Sequence, residues 1–212
     1  HSILVVDDNS PDGTSNIVSN LKKDYKDRLF LIKRENKYGL GSAYREGFKW
    51  AMKKNFNYVF EMDADLSHDP NEIKNLKSLL VNGECDVAIG SRYLEGVSVV
   101  NWPLSRIFLS YFANIYVRFI TCMPVKDSTS GFVGFSIKAL SSLDINKIKF
   151  NGYAFQIEMK FKLWKKKFKL KEHQIIFINR EHGDSKMNKN IIFEAIIGVI
   201  KLKLNSIFKK NE

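Results

Sequence analysis

The stretch Tyr58-Val59-Phe60-Glu61-Met62 runs without a break into Asp63-Ala64-Asp65. A short run of aromatic and β-branched residues that stops at two carboxylates reads as a strand with a polar cluster at its carboxyl end. The same arrangement recurs on both sides of it. Upstream, Ser2 to Val6 is a short apolar strand that ends in Asp7-Asp8-Asn9-Ser10-Pro11-Asp12-Gly13, a turn and helix start. Ile17, Val18 and Leu21 follow at helical spacing, and Leu29 to Lys33 is a second strand. A loop with two glycines, Asn36 to Ser42, precedes a helix over Ala43 to Lys54. Downstream, a helix over Asn71 to Leu80 has Pro70 beside its start, and Asp86 to Gly90 is a strand followed by Ser91-Arg92.

Strands alternating with helices over the first ninety residues predict a parallel sheet with right-handed crossovers. In such sheets ligands bind beyond the carboxyl ends of the strands. Asp7-Asp8, Asp63-Ala64-Asp65 and Ser91-Arg92 are therefore expected to converge on one site. The second half is expected to hold an amphipathic helix from Pro103 to Ile120, with Arg106 and Ser110 one turn apart and able to share a face. A Gly- and Ser/Thr-rich segment from Asp127 to Ser136 has strand-like ends. Tyr153, Ile157, Phe161, Trp164 and Phe168 mark one face of a further helix, and Leu170 to Ile178 reads as a strand. A polar loop from Asn179 to Lys189 then leads into an apolar helix from about Asn190 to Phe208.

A chain of 212 residues with 44% apolar and 27% charged residues has the composition of a folded domain and is too apolar for disorder. Cys85 and Cys122 cannot build a disulfide framework and are expected to be buried thiols in a reducing compartment. The net charge of +11 is unevenly spread: residues 147–212 carry 16 Lys/Arg against 6 Asp/Glu, while the preceding residues are nearly balanced. Because that basic third is rich in Phe, Ile and Leu, it is expected to be a folded surface facing an anionic partner. No targeting peptide is visible. The uncharged stretch Ile107 to Val117 is too short to span a bilayer, so only peripheral membrane contact is expected.

Asp63 and Asp65 offer hard oxygen ligands suited to Mg²⁺ or Mn²⁺, and an ion there would bind and stabilise a diphosphate leaving group. The competing reading is a pair of exposed turn aspartates. Ser67 and His68 lie close enough to join the shell. Asp7 and Asp8 could accept hydrogen bonds from a nucleoside, or could equally cap their own turn. Gly39-Leu40-Gly41 is not a dinucleotide fingerprint, because its third glycine is misplaced and no strand immediately precedes it. Arg92, Arg106, Arg180 and Lys186 are candidate phosphate ligands. The basic run from Lys160 to Lys171 is expected to be a solvated helix face turning into a strand. Its aromatics keep core spacing, which argues against nucleic-acid binding.

Taken together, seven blocks resemble a known family. Val5 to Thr14, Tyr38 to Tyr44, Met62 to His68 and Gly90 to Tyr93 are similar to the inverting family 2 glycosyltransferases. Asp127 to Phe132, Gly152 to Glu158 and Arg180 to Lys186 are similar to the polyprenyl-phosphate (dolichyl-phosphate) mannose synthases among them. The resemblance implies an α/β nucleotide-diphospho-sugar transferase fold, Rossmann-like, with a mostly parallel sheet flanked by helices. It implies a single glycosyltransferase domain over 1–212, with a nucleotide-sugar half at 1–100 and an acceptor and membrane-facing half at 101–212. Family members begin with a further strand. This chain has no initiating Met and starts at what corresponds to the second, so it is expected to lack the first.

The implied reaction transfers mannose from GDP-mannose to a polyprenyl or dolichyl phosphate with inversion, assisted by Mg²⁺ or Mn²⁺. It would take place at the cytoplasmic face of a membrane. By the same resemblance Asp7, Asp8, Lys37, Gly39, Asp63, Ala64 and Arg92 bind the nucleotide sugar, and Asp63, Asp65 and Ser67 hold the metal. Arg106, Ser110, Arg180 and Lys186 grip the acceptor phosphate, and Asp65, Arg92 and Asp127 are the catalytic candidates. The alternatives are a UDP-glucose-dependent prenyl-phosphate transferase, a basic nucleic-acid-binding protein and an inactive binding domain.

Overall fold

The computed structural model describes residues 1–179 and 189–208, with side chains of the last helix from residue 195 onward. The chain divides into two compact units, His1–Asn55 and Phe56–Glu212.

In the first unit, β1 (Ile3–Asp7) and β2 (Leu29–Lys33) pair in parallel with Asp7 opposite Lys33. The crossover between them is α1 (Thr14–Leu21), and α2 (Leu40–Met52) packs on β1. The second helix begins three residues before the expected Ala43. Gly39, at φ 90°, takes a backbone conformation that other residues rarely adopt and so supplies the helix start.

In the second unit, β3 (Tyr58–Glu61), β4 (Val87–Ser91), β6 (Val133–Ser136) and β7 (Leu170–Gln174) form a sheet in the order β3-β6-β4-β7. β3 and β4 do not pair with each other as the alternation predicts. Strand β6 inserts between them and is antiparallel to both, while β7 is parallel to β4. The sheet is mixed, and residues after 130 complete it. Because both flank the same antiparallel strand, β3 and β4 run in one direction and their carboxyl ends leave the sheet at one edge. The insertion depends on Gly134, where a Cβ would stand 2.4 Å from the Phe60 ring.

Helix α3 (Ile73–Val81) follows a single 3₁₀ turn at Pro70–Glu72 and covers the sheet with Leu76 and Leu80, which join Cys85, Ala88, Phe132 and Ile175 in the core. Of the two free thiols, Cys85 is buried as expected and Cys122 is exposed, because Cys122 ends α4 (Leu104–Thr121) in a left-handed turn. The expected strand from Leu170 to Ile178 breaks at Ile175-Ile176. Its first part is β7, and its second, β8 (Phe177–Ile178), pairs with β5 (Val99–Val100).

The short α5 (Ile137–Ser141) is capped by the Ser136 hydroxyl. Helix α6 (Gly152–Lys165) differs from its expected one-sided pattern. Every residue from Ala154 to Phe161 is buried, Gln156, Glu158 and Lys160 included. Lys160, expected on a solvated face, is fully enclosed because its helix lies under the Ser128–Ser130 backbone and against α7 (Lys189–Phe208).

Candidate active site

The turn after β3 carries Asp63, Ala64 and Asp65. The Asp65 carboxylate accepts from both the backbone N–H (3.2 Å) and the hydroxyl of Ser67. Leu66 at φ 63° turns the chain tightly enough for that closure. The carbonyl of Ser67 accepts from Ile178 N at 3.1 Å, which ties the turn to β8. The Ser67 hydroxyl is buried and donates to Asp65, which orients that carboxylate.

The turn after β4 carries Arg92, whose guanidinium is held along its Nε–Nη2 edge and among three aromatic rings. Its backbone N and Nε donate to Asp127 Oδ2 at 2.9 and 2.7 Å, and Nη2 donates to Asp127 Oδ1 at 2.7 Å and Thr129 Oγ1 at 2.8 Å. Tyr93, Trp102 and Phe177 present ring faces to it at 5.4 to 5.6 Å. Burial pushes the Asp127 carboxyl up, but the Arg92 charge and hydrogen bonds outweigh it and hold the group below the ordinary carboxylate value. The same partnership raises the Arg92 guanidinium against its own burial. The buried Asp127 carboxylate thus accepts from four donors, three on Arg92 and the Thr129 hydroxyl, and holds Arg92 in place.

Helix α4 brings a polar stripe to the same place. Arg106 lies over the Trp102 ring at 3.9 Å and donates to Asn179 Oδ1, so Arg92 and Arg106 share one indole. One turn on, Ser110 Oγ accepts from the Tyr93 hydroxyl at 2.8 Å. A further turn on, Asn114 Oδ1 accepts from the N–H (2.8 Å) and hydroxyl (2.7 Å) of Ser128. From β7, Glu172 accepts the N–H groups of Lys126 and Asp127. The Asp127 loop is thereby held from β4, α4 and β7 at once.

His68 joins the two turns. Its buried ring packs on Phe132 and Phe177 with centroids at 5.0 and 5.1 Å. Burial lowers its basicity, and it lies within electrostatic reach of Asp63, Arg92, Asp65 and Asp127. The second unit therefore gathers Asp63, Asp65, Arg92, Asp127, Arg106 and Ser110 at one sheet edge. Arg180 and Lys186 lie outside the described residues.

As a cation site the cluster is open. Among the described residues no group of three or more His, Cys, Asp or Glu could hold a metal. Two carboxylates in one turn instead fit a hard divalent ion that takes its remaining oxygens from substrate phosphates.

The first unit has its own polar cluster. The buried Asp7 carboxylate accepts from Ser15 Oγ at 2.5 Å and Ser10 N at 3.3 Å, closing the turn onto α1. Burial opposes the ionised form, and these hydrogen bonds overcome it and lower the pKa. Asp8 accepts from Arg34 Nε at 2.6 Å, and Arg34 also donates to Ser42 Oγ at 2.8 Å and lies over the Tyr38 ring. Lys37, exposed, and Gly39 lie on the loop between these partners.

Arg34, Tyr93, Trp102, Asn114, Thr129 and Glu172 were not identified from the sequence. Asn114 had a signal, since Arg106, Ser110 and Asn114 recur every fourth residue along one helix face. For Trp102 and Glu172 there was none, because their roles exist only across long-range contacts.

Comparison with known proteins bears directly on this geometry. The profile described as glycosyl transferase family 2 matches residues 1–144. The polyprenol monophosphomannose synthase of Mycolicibacterium smegmatis is 40% identical over 197 residues, covering 93% of this chain and 74% of that protein. The undecaprenyl-phosphate mannosyltransferase of Micrococcus luteus is 35% identical over 199 residues, covering 94% and 81%. Among solved structures, glucosyl-3-phosphoglycerate synthase from Mycobacterium tuberculosis in complex with phosphoglyceric acid superposes with a TM-score of 0.66 at 15% identity, covering 95% of this chain and 68% of that one. The same enzyme with Mn²⁺, UDP-glucose and phosphoglyceric acid gives a TM-score of 0.63 at 15% identity, covering 94% and 68%. At that identity the likeness establishes the fold alone, a nucleotide-sugar transferase architecture with mixed sheets flanked by helices.

Proposed function

The chain belongs to glycosyl transferase family 2 and is a glycosyltransferase, and on that premise we propose that it transfers mannose from GDP-mannose to a polyprenyl phosphate, with inversion, at the cytoplasmic face of a membrane. The observation that carries this reading is the pair of guanidiniums, Arg92 and Arg106, sharing Trp102 beside Ser110. The named mannosyltransferase relatives support the choice of sugar and acceptor.

Two phosphate-bearing substrates repel each other, so the first requirement on such a site is charge management. A prenyl phosphate is already anionic near neutral pH and needs no base to become a nucleophile. Arg106 and Ser110 are assigned to hold it, and Arg92, kept rigid by Asp127, adds a fixed positive field where the two substrates meet. Asp63 and Asp65, with Asp65 oriented by Ser67, would hold a divalent ion. When bound, that ion supplies Lewis-acid stabilisation of the departing diphosphate. Asp8, Lys37 and Gly39 are assigned to the nucleoside, and Asp7 supports their turn. Attack from the acceptor side at the sugar carbon inverts the anomeric centre.

Helix α4 is polar where it faces the site and apolar where it faces solvent. Leu104, Phe108, Phe112, Ile115 and Phe119 form an exposed stripe along it. The neighbouring α7 exposes Ile200, Leu204 and Ile207 between lysines. Such a face, in a strongly basic third of the chain, fits the surface of an anionic bilayer. Among the described residues no helix is long and apolar enough to cross a membrane.

The test is transfer from labelled GDP-mannose and, separately, UDP-glucose to a short polyprenyl phosphate, with Mg²⁺ or Mn²⁺ and with chelator. Metal-dependent mannose transfer that falls at least about a hundredfold in Asp65→Ala is expected. Transfer from UDP-glucose would replace the sugar, and no transfer from either donor by folded protein would sink the acceptor assignment.

A further inference from the structure

Lys160 has no part in the chemistry just described, yet among the described residues it is a lysine with no exposed surface. Its side chain is fully buried in the middle of α6, where an ammonium must be paired or lose its charge. Its Nζ donates to the carbonyls of Ser130 at 2.7 Å and Ser128 at 3.1 Å, and more weakly to Gln156 Oε1 at 3.4 Å. Ser128 and Ser130 bracket Thr129, which together with Asp127 holds Arg92. Of the two, Ser128 is also anchored on Asn114, and Ser130 Oγ donates to the carbonyl of Gly90, two residues before Arg92.

We propose that Lys160 is a positioning residue for the acceptor-side loop. By drawing two successive-but-one carbonyls onto one interior ammonium, it fixes the loop so that Asp127 and Thr129 present their oxygens to Arg92. The physical need is specific to an anion site. Carbonyl oxygens free to swing toward bound phosphates would repel them, whereas carbonyls committed to a buried cation cannot. A simple apolar residue at this place would satisfy packing but leave two buried carbonyls without donors. Burial pushes the Lys160 ammonium down to about 8, and the neighbouring Glu61 and Asp127 carboxyls oppose that fall. This inference rests on the transferase reading for its effect on rate, but not for its effect on the loop.

The experiment compares Lys160→Met with Leu163→Ala, a fully buried residue of the same helix that makes no polar contact with the loop. Both variants are expected to lower the melting temperature. Only Lys160→Met is expected to raise amide hydrogen exchange in residues 126–132, by about tenfold or more. It is also expected to lower kcat for transfer at least tenfold below Leu163→Ala, with KM for the donor changed less than about twofold. Lys160→Gln, which keeps an amide donor of shorter reach, should recover part of both losses, and it carries the comparison if Lys160→Met is not obtained folded. Equal exchange of 126–132 in the two variants overturns the proposal, as does equal kcat. Wild-type protein without prenyl-phosphate transfer would remove the functional reading while the exchange comparison still decides the role of Lys160.

Discussion

An arginine and a carboxylate meet at a strand end in each unit, and the two pairs are built differently. Asp8 and Arg34 follow directly on the paired residues Asp7 and Lys33, so the register of two neighbouring parallel strands brings them together. Asp8 keeps 22% of its side chain exposed. Arg92 and Asp127 are 35 residues apart and meet across a sheet edge, with Asp127 wholly buried and three aromatic rings around the guanidinium. A half-open pair gains little stability because water screens it, whereas a desolvated pair leaves a stranded charge if one partner goes. The first arrangement leaves a carboxylate accessible to ligand. The second uses its carboxylate to make an arginine immobile.

The strongest attempt to break this contrast is Asp127→Ala. Leaving Arg92 buried without its partner should cost about 3–5 kcal/mol in a denaturant titration and reduce transfer by about a hundredfold or more. Replacing both partners, Arg92→Met with Asp127→Leu, should recover much of the stability and none of the activity. Recovery of both would show the pair to be structural only. At the first unit the expected effects are smaller. Arg34 is as buried as Arg92, but Arg34→Ala leaves an Asp8 that water can reach, so it should cost about 1–2 kcal/mol in stability, and it should appear chiefly as a raised KM for the nucleotide sugar. A loss as large as that of Asp127→Ala would erase the distinction.

The finest test is in acid. The folded-state pKa of Asp127 is depressed, so its ionised form contributes stability that is fully present above the ordinary aspartate value of 3.8 and is lost as pH falls through the lower folded value. The stability difference between wild type and Asp127→Asn should therefore be constant above about pH 4 and shrink below it. A difference that instead changed across neutral pH would assign it to another group.

Much of the fold was legible because its signals are local. The second strand was read with its true ends, Leu29 and Lys33, from a short apolar run between polar segments, and the carboxylates after β1 and β3 and Arg92 after β4 all stand at strand ends as expected. The insertion of β6 between β3 and β4 was not legible. Its residues lie more than seventy positions from Tyr58, and nothing in Val133-Gly134-Phe135-Ser136 names their partner. The all-round burial of α6 escaped for a related reason. Periodicity reports a helix's apolar face, but Glu158 and Lys160 are buried because the N–H groups of Lys149 and Phe150 and the carbonyls of Ser128 and Ser130 satisfy them.

From the sequence alone came the alternation of strands and helices, the clusters at strand ends and the family those clusters belong to. The alternation and the clusters follow from propensity and spacing, which act over a few residues, and the family from the resemblance of seven short blocks. The tertiary structure alone decided which charges are paired and which are open. It pinned Asp127 to Arg92, turned Ser67 toward Asp65, and enclosed Lys160 beneath the Ser128–Ser130 backbone. Desolvation and Coulomb pairing make those decisions, and both depend on neighbours that only the folded chain brings within a few ångströms.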